Sequence, residues 1–279
     1  MIECTDPIRV AAQAYYERTI TPDNALRGAL PLRAFEFTDF KNHYGIDTME
    51  PKNVVHSHSS IDAFKTCPAQ YKARYITKEI KFIETTATMY GNRGHKALEN
   101  RLGLATPLPD EFKELEEMCQ QVEKMSGRAY VEKELAVTEE LGSTSFWDKQ
   151  GWFRGKGDYI KFDADAGYLR VFDWKFGKPK KDRDQLERMA LICYYNFPGV
   201  KKVKSAFVYP ASGEVDTDTF TSDKFPEILQ RLQFDIEALK AAHLDNNFPP
   251  RPSGLCRPSK SSHYPGCPVS SCAFNYRNL

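Results

Sequence analysis

One acidic and one basic residue interrupt a run of apolar residues near the middle of the chain, in the segment VFDWKF at residues 171–176. The apolar residues predict a buried strand. Side chains two apart on a strand leave the same face, so Asp173 and Lys175 are expected to project together. Apolar neighbours on both sides favour a central strand over an edge strand. Charges on a central strand are costly unless they are paired or used, so this segment is the first candidate for a functional site.

A second strand is predicted at residues 152–162, and the sequence DADAG that follows it has the composition of a hairpin turn. A turn centred between Asp165 and Ala166 would place Asp158 opposite Asp173. Two carboxylates that face each other across a ladder, about 5 Å apart at their Cβ atoms, are destabilising unless a positive group lies between them. A divalent metal ion is the obvious candidate, and carboxylate oxygens suit Mg²⁺ or Mn²⁺.

Another metal ligand could come from an upstream helix. Residues 91–99, GNRGHKALE, are mostly good helix formers and place His95 and Glu99 four apart, on one helical face. His95 is the candidate ligand, and Glu99 is a carboxylate that could support it. Glu132 and Glu134 are two further acidic candidates, and the sequence leaves the choice between them open.

Four short motifs in this order resemble the RecB-like branch of the PD-(D/E)XK nucleases over residues 57–275. The motifs are Gly91-x3-His95-x3-Glu99, Gly155-x2-Asp158, Asp173-x-Lys175 and Gln185. An isolated Asp-x-Lys is usually an exposed ion pair, but four motifs in the right order are far more specific than any one alone. The tyrosine that usually follows the glutamine by four residues is Met189 in this chain, with Tyr194 or Tyr195 as substitutes.

The resemblance implies a role for each matched residue. The implied metal ligands are His95, Asp158, Asp173 and the backbone carbonyl of Trp174, and the implied ion is Mg²⁺ or Mn²⁺. Lys175 would position or activate the attacking water. Gln185 would support the site, which makes it a catalytic residue together with Asp158, Asp173 and Lys175.

The resemblance also implies an activity, the metal-dependent hydrolysis of phosphodiester bonds in DNA. The expected enzyme is an exonuclease that works on ends or single strands in phage or bacterial DNA recombination, replication or repair. An alternative within the enzymes is a CRISPR-adaptation nuclease that trims spacer precursors. An alternative from another class is a non-cleaving DNA-binding or inhibitory protein on the same fold. Besides DNA, a second copy of the chain or a recombination or replication protein is a candidate partner.

A basic cluster follows the strand that carries Asp173. It consists of Lys178, Lys180, Lys181 and Arg183. Because the formal net charge is only +1, DNA affinity must come from local patches and not from the field of the whole molecule. Charge runs are usually solvated faces, but beside Asp173 these residues are candidate phosphate contacts.

Four of the seven cysteines form a second constellation. Cys67 precedes the nuclease motifs, whereas Cys256, Cys267 and Cys272 follow them. This layout resembles the iron–sulfur nucleases, among them phage exonucleases and CRISPR-adaptation nucleases. The resemblance implies that four thiolates hold a [4Fe-4S] cluster, which ties the C-terminal tail to the N-terminal helical region.

The spacing of these cysteines departs from the usual pattern, because ten residues separate Cys256 from Cys267. We interpret residues 257–265 as an insertion that loops away from the cluster. A zinc site completed with the help of His263 is one alternative, and reduced thiols without a metal are another.

The predicted elements follow the order of a restriction-endonuclease-like core, an α/β fold with a mixed central sheet flanked by helices, N-terminal helical additions and a cysteine-bearing tail. Besides the hairpin, helices are predicted at 7–18, 60–78, 110–125, 182–197 and 225–243, and strands at 130–138, 203–209 and 214–220. Three domains are expected: an N-terminal extension of unassigned role at 1–56, the nuclease core at 57–250, and a tail at 251–279 that packs back near Cys67.

Composition bounds the class of protein. A charged fraction of 28% and a hydrophobic fraction of 41% are ordinary values for a globular domain. No apolar run approaches the roughly 20 residues of a membrane span, and the first ten residues lack the features of a signal peptide. We therefore expect a cytoplasmic protein, host- or phage-encoded, that does not enter the membrane.

Overall fold

The structure is a computed structural model, and it describes residues 54–80, 84–259 and 264–278 of the chain. These residues belong to one compact unit, Pro51–Leu279. The helix predicted at 7–18 and nearly all of the predicted extension lie outside the described residues, as does His263.

The described residues form seven strands, six α-helices and several shorter helical turns. The strands are β1 (His56–Ser57), β2 (Arg128–Val137), β3 (Ser143–Thr144), β4 (Phe153–Asp163), β5 (Tyr168–Trp174), β6 (Lys202–Tyr209) and β7 (Glu214–Thr221). The α-helices are α1 (His58–Thr66), α2 (Pro68–Tyr71), α3 (Thr86–Leu104), α4 (Glu116–Glu123), α5 (Arg183–Asn196) and α6 (Phe225–Leu244). A π-helix at Lys72–Ile76 continues α2, and 3-10 turns lie at Asp110–Leu115, Gly254–Cys256 and Tyr276–Asn278.

The strands form one mixed sheet in the order β3-β2-β4-β5-β6-β7. Strands β5 and β6 are parallel, and the other neighbours along that order are antiparallel. Strand β2 occupies one edge of β4 along nearly its whole length, so β1 and β5 share the other edge. Strand β1 pairs with Phe153 and Arg154, whereas β5 pairs only from Tyr159 onward. Asp158 therefore lies at a fork, immediately before β5 joins the sheet.

Helices cover both faces of the sheet. Successive strand residues point to opposite sides, so each strand contributes side chains to both helical layers. Ile160 of β4 packs with Ile192 of α5 in one buried cluster, which α6 also joins. Its neighbour Tyr159 packs with Leu98 of α3 in a second cluster, together with residues of α4. Fully burying each large apolar side chain contributes about 1.5–3 kcal/mol. The predicted architecture, a mixed central sheet flanked by helices, is confirmed.

The hairpin has the predicted register. Tyr159 pairs with Phe172 and Ile160 with Val171, so the next positions in line are Asp158 and Asp173. The ladder ends one step earlier, at Tyr159. The strand predicted at 171–176 was partly wrong in extent, because β5 ends at Trp174 and the predicted strand residues Lys175 and Phe176 lie beyond it.

The single helix predicted at 60–78 is wrong. Helix α1 ends at Thr66, Cys67 has an extended backbone with φ −161°, and α2 begins at Pro68. Proline has no amide hydrogen to donate and disfavours a helical conformation in the residue before it, so the break is a consequence of Pro68. The helix predicted at 110–125 begins as a 3-10 turn and becomes α-helical only at Glu116. The remaining predicted boundaries agree within two residues.

A small aromatic cluster joins the N-terminal helices to α6. Tyr71 lies at its centre, with its ring stacked on Phe248 and its hydroxyl 2.9 Å from Nε2 of His243. The contact keeps α2 beside the segment that leads into the C-terminal tail. Among the described helices, none combines the length and the apolar character needed to cross a membrane.

Candidate active site

Three acidic residues occupy matching positions on three neighbouring strands at the fork of the sheet. Val131 pairs with Tyr159 and Lys133 with Gly157, which leaves Glu132 of β2 opposite Asp158 of β4. Asp173 of β5 follows on the other side of Asp158. Glu132 has a left-handed backbone, with φ 51°. Such a conformation costs a non-glycine residue energy and is concentrated at functional sites.

Helix α3 brings His95 to this row of carboxylates. Nδ1 of His95 lies 3.3 Å from Oδ2 of Asp158. One ligand atom each from His95, Glu132 and Asp158 lies within 4.8 Å of the others, a separation suited to a single metal ion. Of the two acidic candidates left open by the sequence, Glu132 belongs to this group and its carboxylate also forms an ion pair with Lys156, whereas Glu134 is exposed.

Backbone and ring contacts fix the two ends of this group. The amide of Trp174 donates a hydrogen bond of 2.8 Å to Oδ2 of Asp158. On the helix side, the ring of Phe176 lies 5.5 Å from that of His95, measured between centroids. The last residue of β5 thus orients a carboxylate, and Phe176, two residues later, contacts the imidazole.

Asp173, Lys175 and Gln185 form a closed triangle of hydrogen bonds beside that group. Nζ of Lys175 lies 2.8 Å from Oδ2 of Asp173. The side-chain amide nitrogen of Gln185 donates to the same oxygen at 2.8 Å, and its side-chain oxygen accepts from Lys175 at 3.2 Å. Asp173 is therefore held by Lys175 and Gln185 and lies outside the compact group around His95, so its role as a metal ligand stays a prediction.

Gln185 is itself positioned by the first turn of α5. Asp182 is the N-cap, and its side chain accepts a hydrogen bond of 3.1 Å from the amide of Gln185. Asp182 was not among the predicted site residues. The sequence contained a signal for it, because Asp-x-x-Gln is a helix-start pattern, but the Gln185 side chain turns to Asp173 and Lys175.

The electrostatics of the cluster favour a bound cation. Burial raises the pKa of Asp173 to about 6; Lys175 opposes the shift and Asp158 adds to it. Burial alone would lower the pKa of His95, but its hydrogen bond to Asp158 and the nearby carboxylates raise it overall. The carboxylates that raise the pKa of His95 favour positive charge at this position, and a buried carboxylate such as Asp173 is stabilised by a nearby cation.

The model of the PD-(D/E)XK nuclease superfamily matches residues 55–274, well over half of the chain. The chain belongs to the PD-(D/E)XK nuclease superfamily. Nucleases of this superfamily use divalent metal ions, and the group of His95, Glu132 and Asp158 supplies the nitrogen and oxygen donors that such an ion requires.

Solved structures and curated proteins add little to this assignment. A putative exonuclease from Eubacterium rectale is 15% identical, with a TM-score of 0.45 over 82% of this chain and 91% of that one. A protein named SSO0001 is 14% identical, with a TM-score of 0.40 over 86% of this chain and 97% of that one. No curated protein matches the chain. The assignment rests on the family match.

Three of the four predicted DNA contacts lie in the loop between β5 and α5, and the fourth, Arg183, begins α5. Lys178, Lys180 and Lys181 are exposed. The Tyr209 hydroxyl holds the loop, because it accepts from the amide of Lys180 and donates to its carbonyl. Arg183 differs from the lysines, since it forms ion pairs with two acidic residues, Glu187 at 2.9 Å and Asp218 at 3.0 Å.

Other residues singled out in the sequence lie around the nuclease site in different ways. Glu99 forms an ion pair of 2.9 Å with Lys96. That Glu99 supports His95 remains a prediction. That the backbone carbonyl of Trp174 binds the metal ion also remains a prediction. Tyr194 stacks on Phe225 at 4.3 Å and belongs to the apolar core. Met189 also packs against that core.

The four cysteines predicted to hold a cluster line one cavity. Cys67, Cys256, Cys267 and Cys272 share its wall with Arg251 and Phe274. Backbone amides point at two of the sulfurs, from Arg251 to Cys67 at 3.5 Å and from Ser253 to Cys256 at 3.4 Å. Burial raises the pKa of Cys267, and the other three cysteines add to that shift.

Two residues of the predicted insertion between Cys256 and Cys267 pair with each other. Ser259 and Tyr264 form an antiparallel bridge, with hydrogen bonds of 2.8 and 3.1 Å. The Tyr264 hydroxyl donates to the carbonyl of Leu255 at 3.0 Å. The two ends of the predicted insertion are therefore brought together beside the cavity.

Proposed function

We propose that this chain is a metal-dependent deoxyribonuclease of the RecB-like branch, an exonuclease that works on DNA ends or single strands in phage or bacterial recombination, replication or repair. The observation that carries the proposal is the convergence of the His95–Glu132–Asp158 group with the triangle of Asp173, Lys175 and Gln185 at one fork of the sheet.

The donor set supports Mg²⁺ or Mn²⁺ as the ion. Two carboxylates and one imidazole offer hard ligands and leave positions for water and phosphate oxygens. The strained backbone of Glu132, with φ 51°, supports a role for its carboxylate beyond packing. When bound, the ion would supply positive charge for the non-bridging phosphate oxygens and lower the pKa of a water molecule.

The residues of the chain have separable tasks in hydrolysis. The reaction forms a bond from a water oxygen to phosphorus and breaks the bond to the 3′-oxygen, which leaves and takes up a proton. Lys175 lies 2.8 Å from Asp173 and provides a fixed positive charge that orients the attacking water. Gln185 holds both side chains in place through one donor and one acceptor. The exposed lysines after β5 would contact the phosphates of the incoming strand.

A second metal centre is part of the proposal, a [4Fe-4S] cluster held by Cys67, Cys256, Cys267 and Cys272. All four line one cavity, and amides directed at the sulfurs stabilise thiolates. Four sulfurs around a single Zn²⁺ lie about 3.8 Å apart, given Zn–S bonds of about 2.3 Å. Among the described residues, no three of these sulfurs come within 4.8 Å of one another, which favours a larger group over a zinc ion.

End-labelled DNA tests the proposed activity. Purified protein is incubated with linear and circular substrates, each single- and double-stranded, in Mg²⁺, Mn²⁺ or chelator. An exonuclease degrades the linear substrates, leaves circles intact and stops in chelator. Cleavage of circles would replace exonuclease by endonuclease action. Absence of cleavage in every metal would leave the non-cleaving DNA-binding alternative, and cleavage in chelator would contradict the metal dependence.

A further inference from the structure

Two adjacent aromatic residues stand out on the surface after β3, at Phe146 and Trp147. The chain has three tryptophans. Trp152 and Trp174 are buried, with 6% and 1% of their surface exposed, whereas Trp147 is 71% exposed. A single exposed apolar residue is ordinary on a protein surface, so the interest of this pair lies in two aromatic rings being adjacent and backed by a cation.

Contacts with Arg154 hold the pair in place. Arg154 of β4 lies over both rings, 4.8 Å from the centroid of Phe146 and 5.1 Å from that of Trp147. Its guanidinium also donates to the carbonyl of Phe146 at 3.3 Å. Asp148 closes the loop by accepting from the amide of Gln150 at 2.9 Å and from the Thr144 hydroxyl. Trp147 is therefore exposed although its loop is held by several contacts.

A groove extends from Phe146 to Glu132, one residue of the metal-binding group, and Trp147 lies next to Phe146 in the chain. Its volume is about 440 Å³, and it is open to solvent. Glu132 lines it and belongs to the compact metal-binding group, and Phe146 lines it as well. The remaining wall contains Val131, Lys133, Glu134, Thr144 and Ser145. Lys133 is the positive side chain of this wall, which also contains Glu132 and Glu134, and the cation of Arg154 lies over the two aromatic rings.

We propose that Phe146 and Trp147 form a stacking platform for an unpaired base of single-stranded DNA, whose backbone then enters the groove toward Glu132. The inference rests on the proposed function and adds the class of substrate. Every base has a π-face, so aromatic side chains bind single strands with little sequence preference, and a cation behind the rings adds to the attraction. Bases inside a duplex are already stacked on each other, so the platform selects single strands and frayed ends.

The size of the surface argues against a protein partner. A stable protein interface buries more than about 1,000 Å² in total, and this platform consists of one tryptophan and one partly covered phenylalanine. A strand of DNA needs only one ring per base. The neighbouring cation also suits a polyanion better than an apolar protein surface.

Binding is measured with Ca²⁺ in place of Mg²⁺, for oligo-dT and for a blunt duplex of equal length. The variants are Trp147→Ala, Trp147→Phe and, as the matched control, Phe234→Ala, which removes a ring that is 74% exposed on α6. Trp147→Ala should raise the Kd for oligo-dT about tenfold, the effect of losing one stacked base, and change the duplex Kd about twofold at most. Trp147→Phe and Phe234→Ala should both stay near the wild-type Kd.

Intrinsic fluorescence provides a readout that does not depend on the alanine variant. Oligo-dT should quench wild-type emission, and Trp147→Phe should remove the quenchable part because the other two tryptophans are buried. An equal effect of Trp147→Ala and Phe234→Ala on the Kd, or unquenched wild-type emission, would overturn the platform. The platform would also be overturned if the wild type self-associated and Trp147→Ala abolished that self-association without changing the affinity for DNA. Cleavage by the wild type in Mg²⁺ is scored separately, so the platform can fail while the nuclease assignment stands.

Discussion

Gly94 of α3 lies directly against the ring of Phe176, so closely that a Cβ atom on Gly94 would be 2.3 Å from two ring carbons. The ring cannot easily give way, because it also packs against Tyr90 and Phe112. This contact sets the distance between α3 and the end of β5. His95, the next residue on the helix, depends on that distance to reach Asp158.

Gly94→Ala should therefore separate His95 from Asp158 and lower the cleavage rate about 100-fold, the size of effect expected from a displacement near 1 Å. Gly103→Ala is the matched control, because on the same helix its Cβ would meet Val131 at an ordinary 3.6 Å. Single-turnover cleavage of labelled DNA compares the two variants. Equal rates for both would show that the Gly94–Phe176 contact does not position the site.

Asp173→Asn and Lys175→Met should each lower the cleavage rate by at least about 100-fold, because both charges act on the transition state more than on bound DNA. The two side chains are 2.8 Å apart, so the losses should not add in the double variant. Rates are measured at saturating DNA, with affinity followed by anisotropy. Near wild-type turnover in either single variant would disprove the active-site assignment.

Gln185→Ala should lower the rate about 10- to 100-fold with little change in KM, as is typical when a group that orients a catalytic residue is lost. Gln185→Glu is the informative partner variant. It keeps the acceptor for Lys175 but puts a second negative charge where an amide donates to Asp173 at 2.8 Å. The glutamate variant should be the less active of the two, and the reverse order would mean that the bond to Asp173 is dispensable.

Cys267→Ser should remove the proposed metal centre and lower the melting temperature before it affects the chemistry. Cys67 and the tail are separated by most of the chain, so tying them together closes a very long loop, and binding to the folded geometry adds to stability. Anaerobically purified wild type should be brown and contain iron and sulfide. Cys119→Ala is the control, because that thiol is buried elsewhere, in the core beside α3. Colourless protein with stoichiometric zinc would replace the cluster by a zinc site.

Stability should fall as the pH drops from about 6.5 toward 4. Burial, with help from Lys240 and His243, lowers the pKa of His56 to about 4, and burial also lowers the pKa of His58 and His243. A histidine with a depressed folded pKa stabilises the fold above its unfolded pKa, and that contribution is lost as the unfolded state takes up protons. For His56 alone the loss is on the order of 3 kcal/mol. Urea unfolding from pH 7.5 to 5 should give a shallower decline for His56→Leu, and an unchanged slope would contradict the assignment.

The sequence predicted the hairpin register because turn composition, strand pattern and carboxylate positions all agreed on it. It could not choose between Glu132 and Glu134, because they differ in a backbone angle: only Glu132 adopts φ 51° and turns toward Asp158. The break between α1 and α2 was readable from Pro68 and was missed. The contact of Gly94 with Phe176 joins residues distant in sequence, so local helix and strand propensities could not predict it.

The turn that closes the β4–β5 hairpin, at residues 164–167, stands five residue pairs away from Asp158 and Asp173. Exposed turns ordinarily tolerate changes in length better than any other part of a fold. Here one added residue would slide β5 by a position and send Asp173 to the opposite face of the sheet. The length of this remote turn is thus as much a requirement of the chemistry as the carboxylates themselves, and homologues that keep the activity should vary its composition but not its number of residues.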